Sequence, residues 1–284
     1  MSIIENALEK VRRATPAAGA PVPLPPDASA DLSSRVGVSP RRRIAIDIDQ
    51  LRAKGELPEA AQERRFADYY REIKRPLVHA MLTADARPDE RLVLITSALP
   101  AEGKTFTALN LALSVARERD VSVLLVDADV PKGHLSRTFG LKDAPGLLDA
   151  LSNETIDIDS LVVGTDLGGL EFLPAGKLVE GAAELLASAR MNQIATRLAR
   201  HPRRLVIFDC APLLASSEAR ALKQIPGQFL IVTRAGRTPR QALLDAIALI
   251  DNNKLHGLVL NDAHGASADD YYTHYGYSDY GAGR

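Results

Sequence analysis

The sequence has little cysteine: Cys210 stands alone among 284 residues, which excludes an intrachain disulfide. A fold that does not depend on oxidation is compatible with a cytosolic location. Neither sign of charge is in excess, with 35 Lys and Arg against 36 Asp and Glu, so bulk attraction to nucleic acid or to an anionic membrane is not expected. There is no run of about 18 apolar residues, hence no expected membrane-spanning helix. The opening MSIIENALEK carries Glu5 and Glu9 and lacks the long apolar stretch of a secretory signal. The six histidines show no metal-ligand spacing, so no zinc site is expected. Tryptophan is absent and aromatics make up 5%, yet five of the seven tyrosines fall in the closing stretch YYTHYGYSDYGAGR. These are Tyr271, Tyr272, Tyr275, Tyr277 and Tyr280. Their spacing is neither helical nor strand-like, and Gly276, Gly281 and Gly283 with Asp269, Asp270 and Asp279 speak against a packed element.

What is present is enough apolar residue, 46%, for a full globular core. In residues 1–13, Ile4, Ala7, Leu8 and Val11 recur at the spacing of a short amphipathic helix. Residues 14–40 are rich in Pro and Ala and read as a linker. From 41 to 262 a single domain is expected, and 263–284 form a flexible tyrosine-rich tail. Within the domain, RRRIAIDIDQLRAKGEL reads as a short strand or extended arm. Residues 60–82 read as a helix that Pro76 ends or kinks. Then RLVLITS, VSVLLVD, LEFLP, RLVIFD, FLIVT and LHGLVLN recur as Val/Ile/Leu runs with little alternation, the pattern of strands buried on both faces of a parallel sheet. Helices are expected between them at about 103–118, 181–200, 215–224 and 239–252. The alternation predicts an α/β fold, a three-layer α/β/α sandwich with a mostly parallel sheet.

The stretch LVLITSALPAEGKTFTALNLALSVA carries the chemistry. A buried strand runs into Ala98-Leu-Pro-Ala-Glu-Gly103-Lys104-Thr105 and a helix comes next, which is the P-loop pattern with Ala in place of the first Gly. Such a loop turns its N–H groups inward on an anion, and the helix N-terminus adds partial positive charge. Lys104 is expected to reach the β and γ phosphates and Thr105 to offer its hydroxyl to Mg²⁺, with Ala101, Glu102, Gly103 and Phe106 completing the nucleotide contacts. Two acidic strand ends fall on the ligand edge of such a sheet: VLLVDADVPKG with Asp127 and Asp129, and LVIFDCAPLL with Asp209. The second acidic strand, directly after the P-loop helix, suggests that one carboxylate assists Mg²⁺ while another accepts a proton from an incoming hydroxyl. Which does which is open at this stage.

P-loop ALPAEGKT, acidic motif LLVDADVPKG, IFDCAP and the terminal tyrosine cluster together resemble the bacterial tyrosine kinases built on the P-loop ATPase fold of the MinD/ParA-like branch. HLSRTFGL, PGLLDAL, LPAGK, AELLAS, VTRAGRTPRQAL and LVLND are similar to further segments of that family. MSIIENALEK and YYREIKRPL are similar to autokinases of exopolysaccharide loci. The resemblance implies ATP and Mg²⁺ as cofactors, with Lys104, Asp127 and Asp129 catalytic and Thr105, Asp127 and Asp209 serving the metal. It implies Asn261 against the adenine, and phosphorylation of Tyr271, Tyr272, Tyr275, Tyr277 and Tyr280 between subunits of a ring. It further implies a cytoplasmic chain recruited to the inner face of the membrane by a polysaccharide co-polymerase activator, and leaves room for a cognate tyrosine phosphatase. Two departures stand out. Val130-Pro131-Lys132 replaces a basic pair before the proline, so Lys132 or Arg137 is left to face phosphate. Asp68-x-x-Arg71-x-x-Lys74 stands where the family's ring motif has Glu-x-x-Arg-x-x-Arg, and Lys does not reproduce a bidentate Arg contact. The competing function is a MinD/ParA-like positioning ATPase. That group carries a lysine near the start of its P-loop, where this chain has Ala98 and Leu99, and has no reason to end in tyrosines.

Overall fold

The structure, a computed structural model, describes residues 42–83, 85–251 and 254–263. Residues 1–13, the 14–40 linker and the tyrosine tail therefore lie outside the described residues.

The Val/Ile/Leu runs all become strands of one sheet, but the last, LHGLVLN, is not buried on both faces as expected: it pairs on one side only, at the edge, and leaves Leu258 and Leu260 exposed. Its strands are β1 (Arg43–Ile44), β2 (Leu92–Ser97), β3 (Ser122–Ala128), β4 (Val163–Thr165), β5 (Leu170–Leu173), β6 (Arg204–Cys210), β7 (Gln228–Arg234) and β8 (Leu255–Asn261). The order is β1-β4-β5-β3-β6-β2-β7-β8. Each neighbouring pair is parallel except β4 with β5. Strands β2 and β6 are buried along their whole length, as their continuous apolar sequence requires.

Helices cover both faces. Along the chain they are α1 (Ile48–Ala53), α2 (Glu63–Leu82), α3 (Lys104–Ala116), α4 (His134–Thr138), α5 (Leu147–Ser152), α6 (Ile158–Leu161), α7 (Ala182–Leu186), α8 (Ala189–Leu198), α9 (Ser217–Leu222) and α10 (Arg240–Ala248). Side chains of one pleat, such as Val123, Leu125, Leu205 and Ile207, pack with α2, α3 and α4. Those of the other, such as Leu124, Val126, Val206 and Phe208, pack with α5, α7, α8, α9 and α10. The result is the three-layer α/β/α fold expected from the alternation.

Three local expectations are narrowed or corrected. The short strand expected after residue 41 is β1, but the segment then forms α1, because the Asp47 side chain accepts from the Gln50 N–H at 2.9 Å and caps it, and Leu51 is buried beneath. Of the two outcomes expected at Pro76, an end or a kink, the end does not occur, and α2 runs on to Leu82. A proline removes one helical hydrogen bond, but Leu77 and Met81 beyond it are buried in the core and hold the last turns in place. The expected helix over 181–200 is broken by Ser188, whose hydroxyl accepts from the Met191 N–H at 3.3 Å and starts α8 afresh.

Candidate active site

Chain order places the chemistry. Strand β6 lies between β2 and β3, with Ile95 beside Asp209 and Asp209 beside Asp127 in register. Residues in register on neighbouring strands point to the same face. Asp127 shares its face with Val123 and Leu125, and Asp209 with Leu205 and Ile207, so both carboxylates point to the side covered by the P-loop helix α3.

The loop before α3 is wound by two left-handed residues, Ala101 at φ 61° and Gly103 at φ 93°. Alternation of this kind turns successive N–H groups into one concavity. A Cβ at 103 would also meet the Asn261 side-chain amide, which would have to shift away. Asn261, at the end of β8, donates to the Glu102 carbonyl at 3.0 Å. The Glu102 side chain is buried and turned away from the concavity; it accepts from the Leu99 N–H at 2.8 Å and from the Thr238 hydroxyl. The Thr238 hydroxyl in turn accepts from the Arg234 N–H at 2.8 Å. Ala101, Glu102 and Gly103 are thus tied to the ends of β7 and β8.

Lys104 and Asp129 are both buried, and their charged ends lie 3.9 Å apart. Asp127 is fully buried; one of its oxygens, Oδ2, accepts from the Ser136 N–H at 2.8 Å and from the Ser136 hydroxyl at 2.7 Å. Its Oδ1 and both oxygens of Asp209 have no hydrogen-bond partner. Thr105 lies near enough to Asp209 to favour its charged form, although its hydroxyl does not reach hydrogen-bonding geometry with either oxygen. Burial, and then the neighbouring Asp127, push Asp209 well above the ordinary carboxylate range. Burial also raises Asp127, against the two Ser136 hydrogen bonds that favour its ionised form.

Three unmatched carboxylate oxygens side by side, next to a hydroxyl and a lysine, form a site short of positive charge. Hard oxygen donors from two carboxylates and one hydroxyl suit Mg²⁺, which takes one or two protein carboxylates and completes its shell with phosphate and water. The residues present fit that ion.

Beside the loop opens a hollow of about 770 Å³, lined by Phe66, Tyr69 and Tyr70 of α2, Phe106 of α3, and Asn261 and Asp262. Phe106 stands edge-on to Phe66 at 5.8 Å between ring centroids. Across its rim Arg234 pairs with Asp262 at 2.6 Å.

The charged triplet on α2 is divided. Arg71 pairs with Asp68 at 2.7 Å on the exposed face. Lys74 turns onto α3, donating to the Ser114 carbonyl at 2.9 Å and pairing with Glu118 at 2.6 Å. Lys132 and Arg137 are exposed. Tyr271, Tyr272, Tyr275, Tyr277 and Tyr280 lie outside the described residues.

No protein-family model matches the chain. Among curated proteins it is similar to tyrosine-protein kinase YwqD of Bacillus subtilis, 30% identical over 215 residues that cover 75% of this chain and 87% of YwqD. The chain belongs to the bacterial tyrosine-protein kinase family. Another relative in that family is the putative tyrosine-protein kinase EpsB of Ralstonia nicotianae, 33% identical over 192 residues, 67% of this chain. The match spans only 25% of EpsB, so the chain corresponds to about a quarter of such longer kinases. The kinase domain of the Escherichia coli tyrosine kinase ETK superposes with a TM-score of 0.59 at 26% identity, over 71% of this chain and 78% of that one.

For a bacterial tyrosine kinase, sequence reasoning left out Ser136 and Thr238. Each acts on a site residue from a distance in sequence, 9 positions for Ser136 on Asp127 and 136 for Thr238 on Glu102. Only the fold brings them together. The aromatic wall on α2, from Phe66, Tyr69 and Tyr70, is not foreseen either, because the sequence shows a helix over 60–82 but not which of its side chains face the P-loop.

Proposed function

We propose that the chain is an ATP-dependent protein-tyrosine autokinase whose acceptors are its own Tyr271, Tyr272, Tyr275, Tyr277 and Tyr280. The observation that carries this reading is the buried pair Asp127 and Asp209, three of whose oxygens are unmatched, set beside a P-loop. In this reading the N–H groups of residues 101–105 and Lys104 bind the phosphates, and the hollow lined by Phe66, Tyr69 and Phe106 takes the base with Asn261 at its edge. Thr105, Asp127 and Asp209 would hold Mg²⁺, which supplies charge neutralisation at the β and γ phosphates when bound. Lys104 leaves Asp129 for the γ-phosphate, and Asp129 is then free to take the phenol proton. The tyrosine oxygen bonds to the γ-phosphorus, the bond from that phosphorus to the β–γ bridging oxygen breaks, and ADP leaves with the electron pair.

The same reading places the tyrosines of one subunit at the site of the next in a ring. The exposed Asp68–Arg71 pair is the part of the α2 triplet free to serve that contact. The partner is a membrane-embedded polysaccharide co-polymerase that recruits the cytoplasmic kinase to the inner face of the membrane, and the phosphorylation cycle controls exopolysaccharide polymerisation or export. Among the described residues no helix is long and apolar enough to cross a membrane.

Incubation of the purified chain with ATP and Mg²⁺, followed by peptide mass spectrometry, tests the proposal. Phosphate is expected on the terminal tyrosines, and Lys104→Met and Asp209→Asn are expected to abolish it. A tail that stays unmodified even with an activator fragment present overturns it.

A further inference from the structure

We propose that Ser136 is the positioning residue of the site, fixing Asp127 so that Oδ2 is occupied and Oδ1 alone is offered to Mg²⁺. This rests on the reading of Asp127 as a metal carboxylate given above. Asp127 sits near the end of a buried strand, where an unsupported carboxylate has two equivalent oxygens and no reason to present one of them. Ser136 removes that equivalence. Its N–H and its hydroxyl both go to the same oxygen, at 2.8 and 2.7 Å. The hydroxyl is itself held, because its oxygen accepts from the Ala175 N–H at 3.0 Å. A serine hydroxyl has one proton. With Ala175 on the oxygen, that proton is committed to Asp127.

Chain geometry delivers Ser136 to this place. After Asp129 the chain turns back at once: the Lys132 and Gly133 N–H groups both donate to the Asp129 carbonyl, at 2.9 and 2.7 Å, and Gly133 takes φ 51°. Helix α4 then starts at His134 and buries Ser136 against β3 and the loop after β5. The three-member line Ala175, Ser136, Asp127 is buried and satisfied up to Oδ1, the single atom in it without a partner. A buried polar line that is complete except at the atom facing the site is organised for what binds there.

The test measures binding of a fluorescent ATP analogue to the full chain as Mg²⁺ is titrated. Ser136→Ala is expected to raise the half-saturating Mg²⁺ concentration about tenfold, the scale on which outer partners of metal ligands act. Affinity measured in EDTA should change less than about twofold, because the P-loop contacts are untouched. Ser136→Thr, which keeps the hydroxyl, should recover most of the loss. Ser136→Cys keeps the volume with a weaker donor and should fall between, which guards against an alanine variant that does not fold. In an Asp127→Asn background Ser136→Ala should shift the Mg²⁺ midpoint by less than about twofold, since a residue acting through Asp127 has nothing left to act on. An unchanged midpoint in Ser136→Ala, or an equal loss in both backgrounds, overturns the role of Ser136 and leaves the kinase reading standing. Wild-type binding that is indifferent to Mg²⁺ overturns both.

Discussion

Asp209 shows how one residue records a function in its energetics. It is fully buried with neither oxygen matched, and burial with Asp127 alongside holds its carboxyl far above the usual range. Folding therefore disfavours its ionised form. Because the folded value is the raised one, the stability of the metal-free chain falls as pH climbs from the ordinary carboxylate range, about 4, up to the raised value. Asp209→Asn removes that penalty. Without Mg²⁺ the variant should be more stable than the wild type by on the order of 1–3 kcal/mol at neutral or higher pH, and the gain should shrink toward zero in acid. Thermal melts in EDTA at pH 5 and pH 8 check this; a gain of equal size at both, or a loss, contradicts it. The same variant is inactive in the kinase reading, so stability and activity would move in opposite directions. At this scale the sequence is readable where spacing along the chain is the signal, as for Gly103, Lys104, Thr105 and the three aspartates. It is silent on Ser136 and Thr238, whose partners are neighbours only in space.

Elements are legible in proportion to how much of their own stabilisation they carry. The long Val/Ile/Leu runs announce β2, β3, β6 and β7, because a strand buried on both faces has no polar side to vary; β8 carries such a run too, yet it stands at the sheet edge with Leu258 and Leu260 exposed. The three residues of β4 and the short α4, α5 and α6 carry no such run or period; they form because neighbouring elements pack on them. The alternation IAIDID over residues 44–49 starts as a strand at β1 and ends in α1, where the Asp47 cap turns the chain into a helix. Helix α2 runs past Pro76, so of the two outcomes the proline allowed, an end or a kink, burial rules out the end. Tyr70, Leu77 and Met81 lie 7 and 4 residues apart, one continuous apolar stripe across the proline. Packing holds the helix despite a missing hydrogen bond to the Glu72 carbonyl. Pro76→Ala should then restore that bond without moving the stripe, and raise stability by about 1–3 kcal/mol in a denaturant titration. Lower stability would mean that the proline shapes a bend the core depends on. Nucleotide affinity should be unaffected, because residue 76 does not line the hollow beside the P-loop.

For the whole molecule, the informative fact is where strand β8 leads. Strand β8 ends at Asn261, whose side chain lies on the P-loop, and Asp262 pairs there with Arg234. The chain thus reaches Ala263 at the P-loop edge of the sheet. At about 3.3–3.6 Å per residue, Tyr271 has a reach of up to about 30 Å and Tyr280 up to about 60 Å from that point. Both its own site and that of a neighbouring subunit fall within such a span, so reach does not choose between them. Charge, by contrast, would decide the fate of the tail if phosphate is transferred to it as proposed. The site is lined by Asp127, Asp129 and Asp209, and the tail already carries Asp269, Asp270 and Asp279. Each phosphotyrosine adds roughly −1.5 to −2. Five would take a chain of formal charge −1 to roughly −8 to −11, with the added charge confined to one short segment. A tail docked at a carboxylate site would be repelled from it, and a ring closed by such docking would loosen. Light scattering of the unphosphorylated and fully phosphorylated protein, at matched concentration and low salt, should give a smaller particle after phosphorylation. The difference should narrow as salt is raised, since the Debye length falls from about 10 Å at 0.1 M to about 3 Å at 1 M. Particles of equal size in both states would mean that the assembly is held by surfaces the tail does not touch.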